Sequence, residues 1–236
     1  MRRRHHPRLP SHRNVVSVVR GIDLTVTDMH YCYDEAMRAR IAANLGSFAR
    51  TPASAEGLKH AAVAITLVCD DKGEGAYVLT RRTASLNSHA GQFALPGGRI
   101  DDGETPIEGA LRELREEVNL HLAEDAVLGL LDDYQTQSGY LITPIVVWAG
   151  ADAEMEANPQ EVARIHRITF RELNRPDSPE FVDIPESRRP VIRLLMGDDD
   201  ALHAPSAAMV YQFREVGLHG RPTRVAHLGE PVWAWR

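Results

Sequence analysis

The sequence predicts an α/β protein in which helices cover a mixed β-sheet, and three observations predict it. Short apolar runs come in pairs split by turn residues, as in AAVAITLVCD (61–70) and GAYVLTRR (75–82). A second pair, VLGLLDDY (127–134) and YLITPIVVWAG (140–150), repeats the arrangement across the polar turn QTQSG. Between the pairs, TPIEGALRELREEVNL (105–120) carries a strong helical period. Strands around one strong internal helix, in a chain of 236 residues, suit one large domain, or one domain with extensions.

Taken in order, residues 1–20 open with MRRRHHPRLPSHR, which holds Arg2, Arg3, Arg4, Arg8 and Arg13 and no acid. This reads as a solvated, disordered tail, with a tether to an anionic surface as the alternative. Residues 21–56 supply an N-terminal helix and a linker. In YDEAMRARIAANLGSFA, Met37, Ile41 and Leu45 recur every four residues, with Gly46 near the end, and this helix is expected to pack on the main domain. TPASAEG then reads as the linker.

Residues 57–236 form the main domain with a C-terminal helical extension. Its first two runs are joined by DKGEG, a hairpin or tight connection. VARIHRI is the final strand of the sheet, followed by the helix start TFREL. APSAAMVYQFREVGLHG puts Met209, Phe213 and Val216 on one core-facing helical stripe, with Pro205 at its start. RVAHLGEPVWAWR is expected to be an edge strand, limited by Pro231.

Composition narrows the function. Apolar residues at 43%, charged residues at 25% and a mean hydropathy of -0.30 describe an ordinary globular chain. A net charge of -6 and a pI near 6.0 argue against a general nucleic-acid binder and favour small-molecule substrates. VVSVV is too short for the core of a secretory signal, and AAVAITLVC falls below the roughly 18 residues of a membrane span, so a cytoplasmic protein is expected. Cys32 and Cys69 are too few and too scattered for a disulfide framework or a zinc site, and read as free thiols.

The central helix has a well-specified start. Thr105 and Glu108 form a capping box, and Pro106 takes the first helical position, where its missing N–H costs nothing. Ile107, Ala110, Leu111, Leu114 and Val118 make a stripe that must face a core. At about 100° per residue, Glu113, Glu116 and Glu117 share an arc of roughly 100° turned away from that stripe, and Gly109 falls within it. Taken alone, the acids read as a solvated face. The glycine costs about 1 kcal/mol relative to alanine, which suggests that something approaches the backbone there.

The preceding segment, LPGGRIDDGE, changes that reading. Gly97 and Gly98 can turn a carbonyl toward a ligand. From Gly98, five residues lead to Glu104 and seven more to Arg112-Glu113, then Leu114, one residue, Glu116-Glu117, one residue, Asn119 and Leu120. This order resembles the signature of the Nudix hydrolase family at every specified position except Asn119, where the family has glycine. Asparagine is the side chain that best tolerates the left-handed backbone of a helix end after glycine.

The resemblance implies a Nudix-type α/β/α sandwich with a mixed sheet and a loop-helix-loop catalytic motif, over roughly residues 60 to 200. It implies Glu113, Glu116 and Glu117 as carboxylate ligands of Mg²⁺ or Mn²⁺, with the Gly97 carbonyl as a further ligand. Glu104 and Arg112 match the pair that holds the loop to the helix. Glu113 or Glu116 is the candidate base, with Glu161 the candidate outside the motif. The chemistry agrees: a phosphoanhydride repels hydroxide, so its hydrolysis needs cations on the phosphate oxygens and a positioned, deprotonated water. Clustered carboxylates hold hard cations that supply both.

Upstream, LTRRTASLNSHAGQFALPGG is similar to the signature of the coenzyme A diphosphatase branch. It keeps Thr80, Arg82, Gly91 and Pro96-Gly97-Gly98, and departs at Thr83, Asn87 and Leu95. Asn87 stands where that branch has an arginine, which removes a bidentate phosphate contact. Candidate substrate contacts are Arg81, Arg82, His89 and Gly98. The expected partner is a small-molecule nucleoside-diphosphate substrate, with no nucleic acid and no membrane span, and a homodimer is left open. The expected reaction is hydrolysis of coenzyme A or acyl-CoA to an adenosine phosphate and a phosphopantetheine product. ADP-ribose, NADH or a dinucleoside polyphosphate is the alternative substrate, and a non-catalytic ligand-sensing module the alternative of another class.

Overall fold

A computed structural model describes residues 31–54, 56–84, 91–197 and 200–235. His89, Asn87 and the arginine-rich tail lie outside these residues. The first element, α1 (Glu35–Ser47), starts where the Asp34 side chain accepts the Met37 N–H, and it buries Met37, Ile41 and Leu45 as their spacing predicts.

Strands β1 (Lys59–Cys69), β2 (Gly75–Arg82), β3 (Phe93–Ala94) and β4 (Gly97–Arg99) precede helix α2 (Pro106–Val118). Then come β5 (Val127–Leu130), β6 (Tyr134–Gln135), β7 (Tyr140–Trp148), β8 (Val162–Thr169) and the short α3 (Phe170–Leu173). β1 to β8 make one sheet with the central order β3-β2-β1-β7-β5, in which β4 pairs with β1, β6 with β7 and β8 with β2. Among the described residues only β1 and β7 of this sheet run parallel, from Lys59↔Tyr140 to Leu67↔Trp148, so the sheet is mixed.

The sheet is covered on both sides. Along β1, Ala62, Ala64 and Val68 face one way, into a core with Ala110, Leu114 and Val118 of α2. Ala61, Ile65 and Leu67 face the other way, into a core that includes Met37, Ile41 and Leu45 of α1. This two-residue alternation builds the α/β/α sandwich.

The rest of the chain departs from the sequence reading in three places. β8 is the last strand of its sheet, as expected, but a second, unexpected sheet follows it: β9 (Glu180–Val182), β10 (Val191–Met196) and β11 (Asp200–His203) form a separate antiparallel sheet ordered β11-β10-β9. The run 127–134 is not one strand, because it breaks at Asp132 and Asp133, whose carboxylates leave the ladder to accept hydrogen bonds. Asp132 takes the Thr51 N–H (2.7 Å), Arg224 Nη1 (2.7 Å) and Gln212 Nε2 (2.8 Å). Asp133 takes the Ala53 N–H (3.0 Å), Thr143 Oγ1 (2.7 Å) and Arg50. These contacts fasten the segment after α1 and the C-terminal part of the chain to the sheet.

The third departure is the C-terminal segment, expected as an edge strand. Only Gly229 makes an isolated bridge there, to Val191, and Val232–Trp235 wind into a 3₁₀ turn after Pro231. Before it, α4 (Ser206–Phe213) begins at Pro205, which is its N-cap, and runs into a π-helical turn over Arg214–Leu218. Met209, Phe213 and Val216 are all buried, as their stripe predicts. Cys32 and Cys69 are free thiols. No helix among the described residues is long and apolar enough to cross a membrane.

Candidate active site

Helix α2 forms as its sequence prescribes. The Thr105 hydroxyl accepts the Glu108 N–H (3.2 Å) while the Glu108 carboxylate accepts the Thr105 N–H (2.7 Å), which completes the capping box. Its end is closed by Asn119 at φ 53, ψ 30, the left-handed conformation for which asparagine substitutes for glycine. Beyond it, the loop before β8 satisfies the last carbonyls: the Glu156 N–H donates to Val118 O (2.9 Å), the Asn158 N–H to Glu117 O (2.9 Å) and Asn158 Nδ2 to Glu116 O (3.2 Å). Sequence reasoning missed Asn158, because a single loop asparagine carries no signal of which helix it anchors.

The acids of α2 do not form a solvated face. Glu117 is 2% exposed and the Glu113 side chain only 13%, while that of Glu116 is 49% exposed. Part of the arc that avoids the apolar stripe is instead covered, at Glu113 by Gly98 of β4 and at Glu117 by Arg82 of β2, while Glu116 stays at the rim. A Cβ on Gly98 would stand 2.3 Å from Glu113 Oε1, so the glycine is what lets this carboxylate lie on the strand. At Gly97 a Cβ would stand 2.4 Å from the Ala62 carbonyl, which the pairing of β4 with β1 forbids. A Cβ on Gly109 would meet Ile100 and Glu104 only at 3.4 Å, an ordinary contact, so the close approach expected at this glycine is not found.

Arg112 ties this loop to the helix. Its Nε and Nη2 donate to the two oxygens of Glu104 (2.9 and 3.1 Å), its Nη2 also to Arg99 O (2.8 Å), and its Nη1 to Glu113 (2.8 Å) and Glu116 (3.2 Å). The guanidinium holds the Glu104 carboxyl below the usual range, and the Asp101 N–H adds to this. Glu104 in turn raises Arg112 further above its ordinary value.

Glu113 and Glu117 behave in the opposite way. Burial pushes Glu117 up to about 8, repulsion from Glu113 and Glu161 adds to it, and Arg82 and the Gly97 N–H pull it back only in part. Glu113 is also raised, first by burial, against the pull of Arg112. Glu161 acts on both carboxylates, so the loop that anchors the end of α2 also delivers a further acid to the cluster.

Among the described residues, no three acidic, histidine or cysteine side chains are gathered tightly enough to hold an ion as they stand. Glu113 and Glu116 turn toward Arg112, and Glu117 faces Arg82 Nη1 at 3.9 Å. The donor set nevertheless suits a hard dication: Glu117 Oε2 is buried without a hydrogen-bond partner, and its neighbours are oxygen acids that repel one another.

A cavity of ≈ 760 Å³ opens beside Gly97 and Gly98, in the range of small-molecule sites. Arg81 and Arg82 line it. Arg81 donates to Gly91 O (3.1 Å) and lies over the Phe93 ring, whereas Arg82 keeps a buried Nε with no acceptor. Lys59 and Arg99, which sequence reasoning passed over, also line it and flank the Tyr140 ring. Their roles depend on the pairing of β1 with β7 and β4, which the sequence does not display.

Comparison with known proteins agrees with this geometry. The NUDIX domain family profile matches residues 58–193. An uncharacterized Nudix hydrolase NudL of Photorhabdus laumondii is 41% identical over 132 residues, 56% of this chain and 68% of that protein. The Yersinia enterocolitica protein of the same description is 40% identical over 126 residues, 53% of this chain and 64% of that one. Among solved structures, a MutT/nudix family protein from Enterococcus faecalis superposes with a TM-score of 0.52 at 14% identity, over 70% of this chain and 65% of that one, a likeness of fold.

Proposed function

The chain belongs to the Nudix hydrolase family, and we propose that it hydrolyses the diphosphate bond of coenzyme A or acyl-CoA, giving an adenosine phosphate and a phosphopantetheine product. The observation that carries this reading is the abutment of two unlike surfaces. Crowded, partly unsatisfied carboxylates of α2 lie on one side of Gly97 and Gly98, and a cavity lined by Arg81, Arg82, Lys59 and Arg99 lies on the other. A polyanion enters the basic side, and its anhydride bridge reaches the acidic side.

In this reading Glu113, Glu116, Glu117 and the Gly97 carbonyl hold Mg²⁺ or Mn²⁺. When bound there, such a cation would supply positive charge for the phosphate oxygens and would make water more acidic. Glu104 and Arg112 keep the glycine loop against the helix, so that the carboxylates and the loop carbonyl share one frame. The free Nε of Arg82 and the guanidinium of Arg81 bind and orient phosphate oxygens. Glu113 or Glu116 takes the proton of the attacking water, and Glu161 is the base if neither does.

Two observations favour coenzyme A over other diphosphates: the retained Arg82, Gly91 and Pro96-Gly97-Gly98 of the branch signature, and a cavity with room for more than a nucleotide. Asn87 keeps ADP-ribose, NADH and dinucleoside polyphosphates as the second reading. Purified protein with Mg²⁺ or Mn²⁺ is to be given coenzyme A, an acyl-CoA and these three substrates in parallel. Turnover of coenzyme A to the two named products supports the proposal. Turnover of another substrate alone replaces it, and binding without turnover makes the chain a ligand-sensing module.

A further inference from the structure

The cavity has a second wall, built from the C-terminal segment, that the hydrolysis of a diphosphate does not need. Asp200, His203, Glu230 and Trp233 contribute to it. Glu230 is 2% exposed; its Oε1 accepts the Gln137 N–H (3.1 Å), while Oε2 is buried with no hydrogen-bond partner. Trp233 is 47% exposed and packs edge-on to the His203 ring, with centroids 5.3 Å apart. A buried carboxylate with one unmatched oxygen and an exposed indole thus stand on the same cavity.

The position matters as much as the chemistry. Glu230 is tied to the turn that leads into β7, whose Tyr140 pairs with Lys59 at the start of β1. Gly97 pairs with Val63, four residues further along β1, or about 13 Å at the rise of a strand. Lys59, Tyr140, Val63 and Gly97 all line the cavity, so it extends along this stretch of β1.

We propose that Glu230 and Trp233 form the nucleobase subsite of this cavity, in which the indole stacks on a purine and the Glu230 carboxyl, whose Oε2 is covered by its neighbours, shifts to accept a hydrogen bond from its exocyclic amine. The inference deepens the function proposed above, since it takes a nucleoside-diphosphate substrate as given. Stacking tolerates any base, whereas a buried acceptor discriminates against a base that lacks the donor. Of the neighbouring groups, Gln137 already occupies Oε1 and Trp235 Nε1 donates to the Glu230 carbonyl, so neither satisfies Oε2. Burial pushes Glu230 up to about 7, so slightly alkaline buffer keeps it an acceptor.

The test is binding of AMP and of purine riboside 5′-monophosphate, which lacks the exocyclic amine, to the full chain by calorimetry at about pH 8. AMP is expected to bind about tenfold more tightly. Glu230→Gln keeps an acceptor for Gln137 but turns an amide N–H₂ toward the cavity, and is expected to abolish the preference. Trp233→Ala, at a half-exposed position that the fold tolerates, weakens both ligands alike. Equal affinities in the wild-type protein, a preference that survives in folded Glu230→Gln, or no binding of either nucleotide overturns the inference. Mononucleotide binding needs no turnover. A chain that binds AMP selectively and cleaves no diphosphate therefore refutes the proposed function alone, and one that cleaves coenzyme A without base preference refutes the subsite alone.

Discussion

Gly98→Ala isolates the contact between the glycine loop and helix α2. The backbone of Gly98 is outside the left-handed region, so alanine fits its conformation. The added Cβ would lie 2.3 Å from Glu113 Oε1 and 2.6 Å from its Cδ, against an ordinary contact of 3.4 Å or more. The carboxylate must retreat by about 1 Å. Because it ends a flexible side chain, the retreat costs about 1 kcal/mol in rotamer strain, which the lower chain entropy of alanine in the unfolded state offsets by about 0.4–1 kcal/mol. Stability should hold to within about 1 kcal/mol. A displacement of 1 Å in a catalytic group costs on the order of 100-fold in rate, about 2.7 kcal/mol. The assay pairs initial rates on coenzyme A at saturating Mg²⁺ with a thermal melt. A folded variant with wild-type turnover refutes the placement of Glu113 in the reaction, and a variant that unfolds refutes the claim that only a side chain stands in the way.

Two more predictions follow from the buried acids. Glu117→Gln removes a carboxylate that burial opposes, so the metal-free variant should melt at or above the wild-type temperature. Saturating Mn²⁺, at about 100 times its Kd, should stabilise the wild-type chain by about 2.7 kcal/mol and the variant far less; equal shifts in the two proteins exclude Glu117 as a ligand. For Glu230, the folded value of about 7 lies above the ordinary 4.5, so its stabilising protonation is complete below about pH 4.5 and is lost as pH rises through 7. Between about pH 5.5 and 8 this group alone should lower stability by about 2 kcal/mol. Urea melts of wild type and Glu230→Gln at the two pH values should differ by that amount, and parallel pH profiles refute it.

Much of this molecule was legible because local chemistry and global fold agree. The capping box at Thr105, the stripe from Ile107 to Val118 and the left-handed Asn119 each specify α2 without reference to the rest of the chain. The alternation along β1 likewise records the two cores it separates. What the sequence hid depends on partners. Asp132 and Asp133 look like the end of a strand until Arg50, Arg224 and Gln212 are seen to claim them. The three-residue β9 has no period of its own and is set by its pairing with β10. The burial of Glu117 is not legible in the helical arc, which states which residues face the same way, not what covers them. Glu230 sits beside Pro231 in a segment whose residues mimic a strand, so its place on the cavity emerges only in three dimensions.

The core on the far side of the sheet mixes residues from well outside the matched span 58–193: Met37, Ile41 and Leu45 before it, and Phe213, Val216 and Leu218 after it, against Ile65, Leu67 and Tyr77 within. A fragment trimmed to that span would keep the entire glutamate helix and still lay bare a greasy sheet face. It would be expected to clump on expression, so the smallest usable piece of this enzyme is set by its flanks.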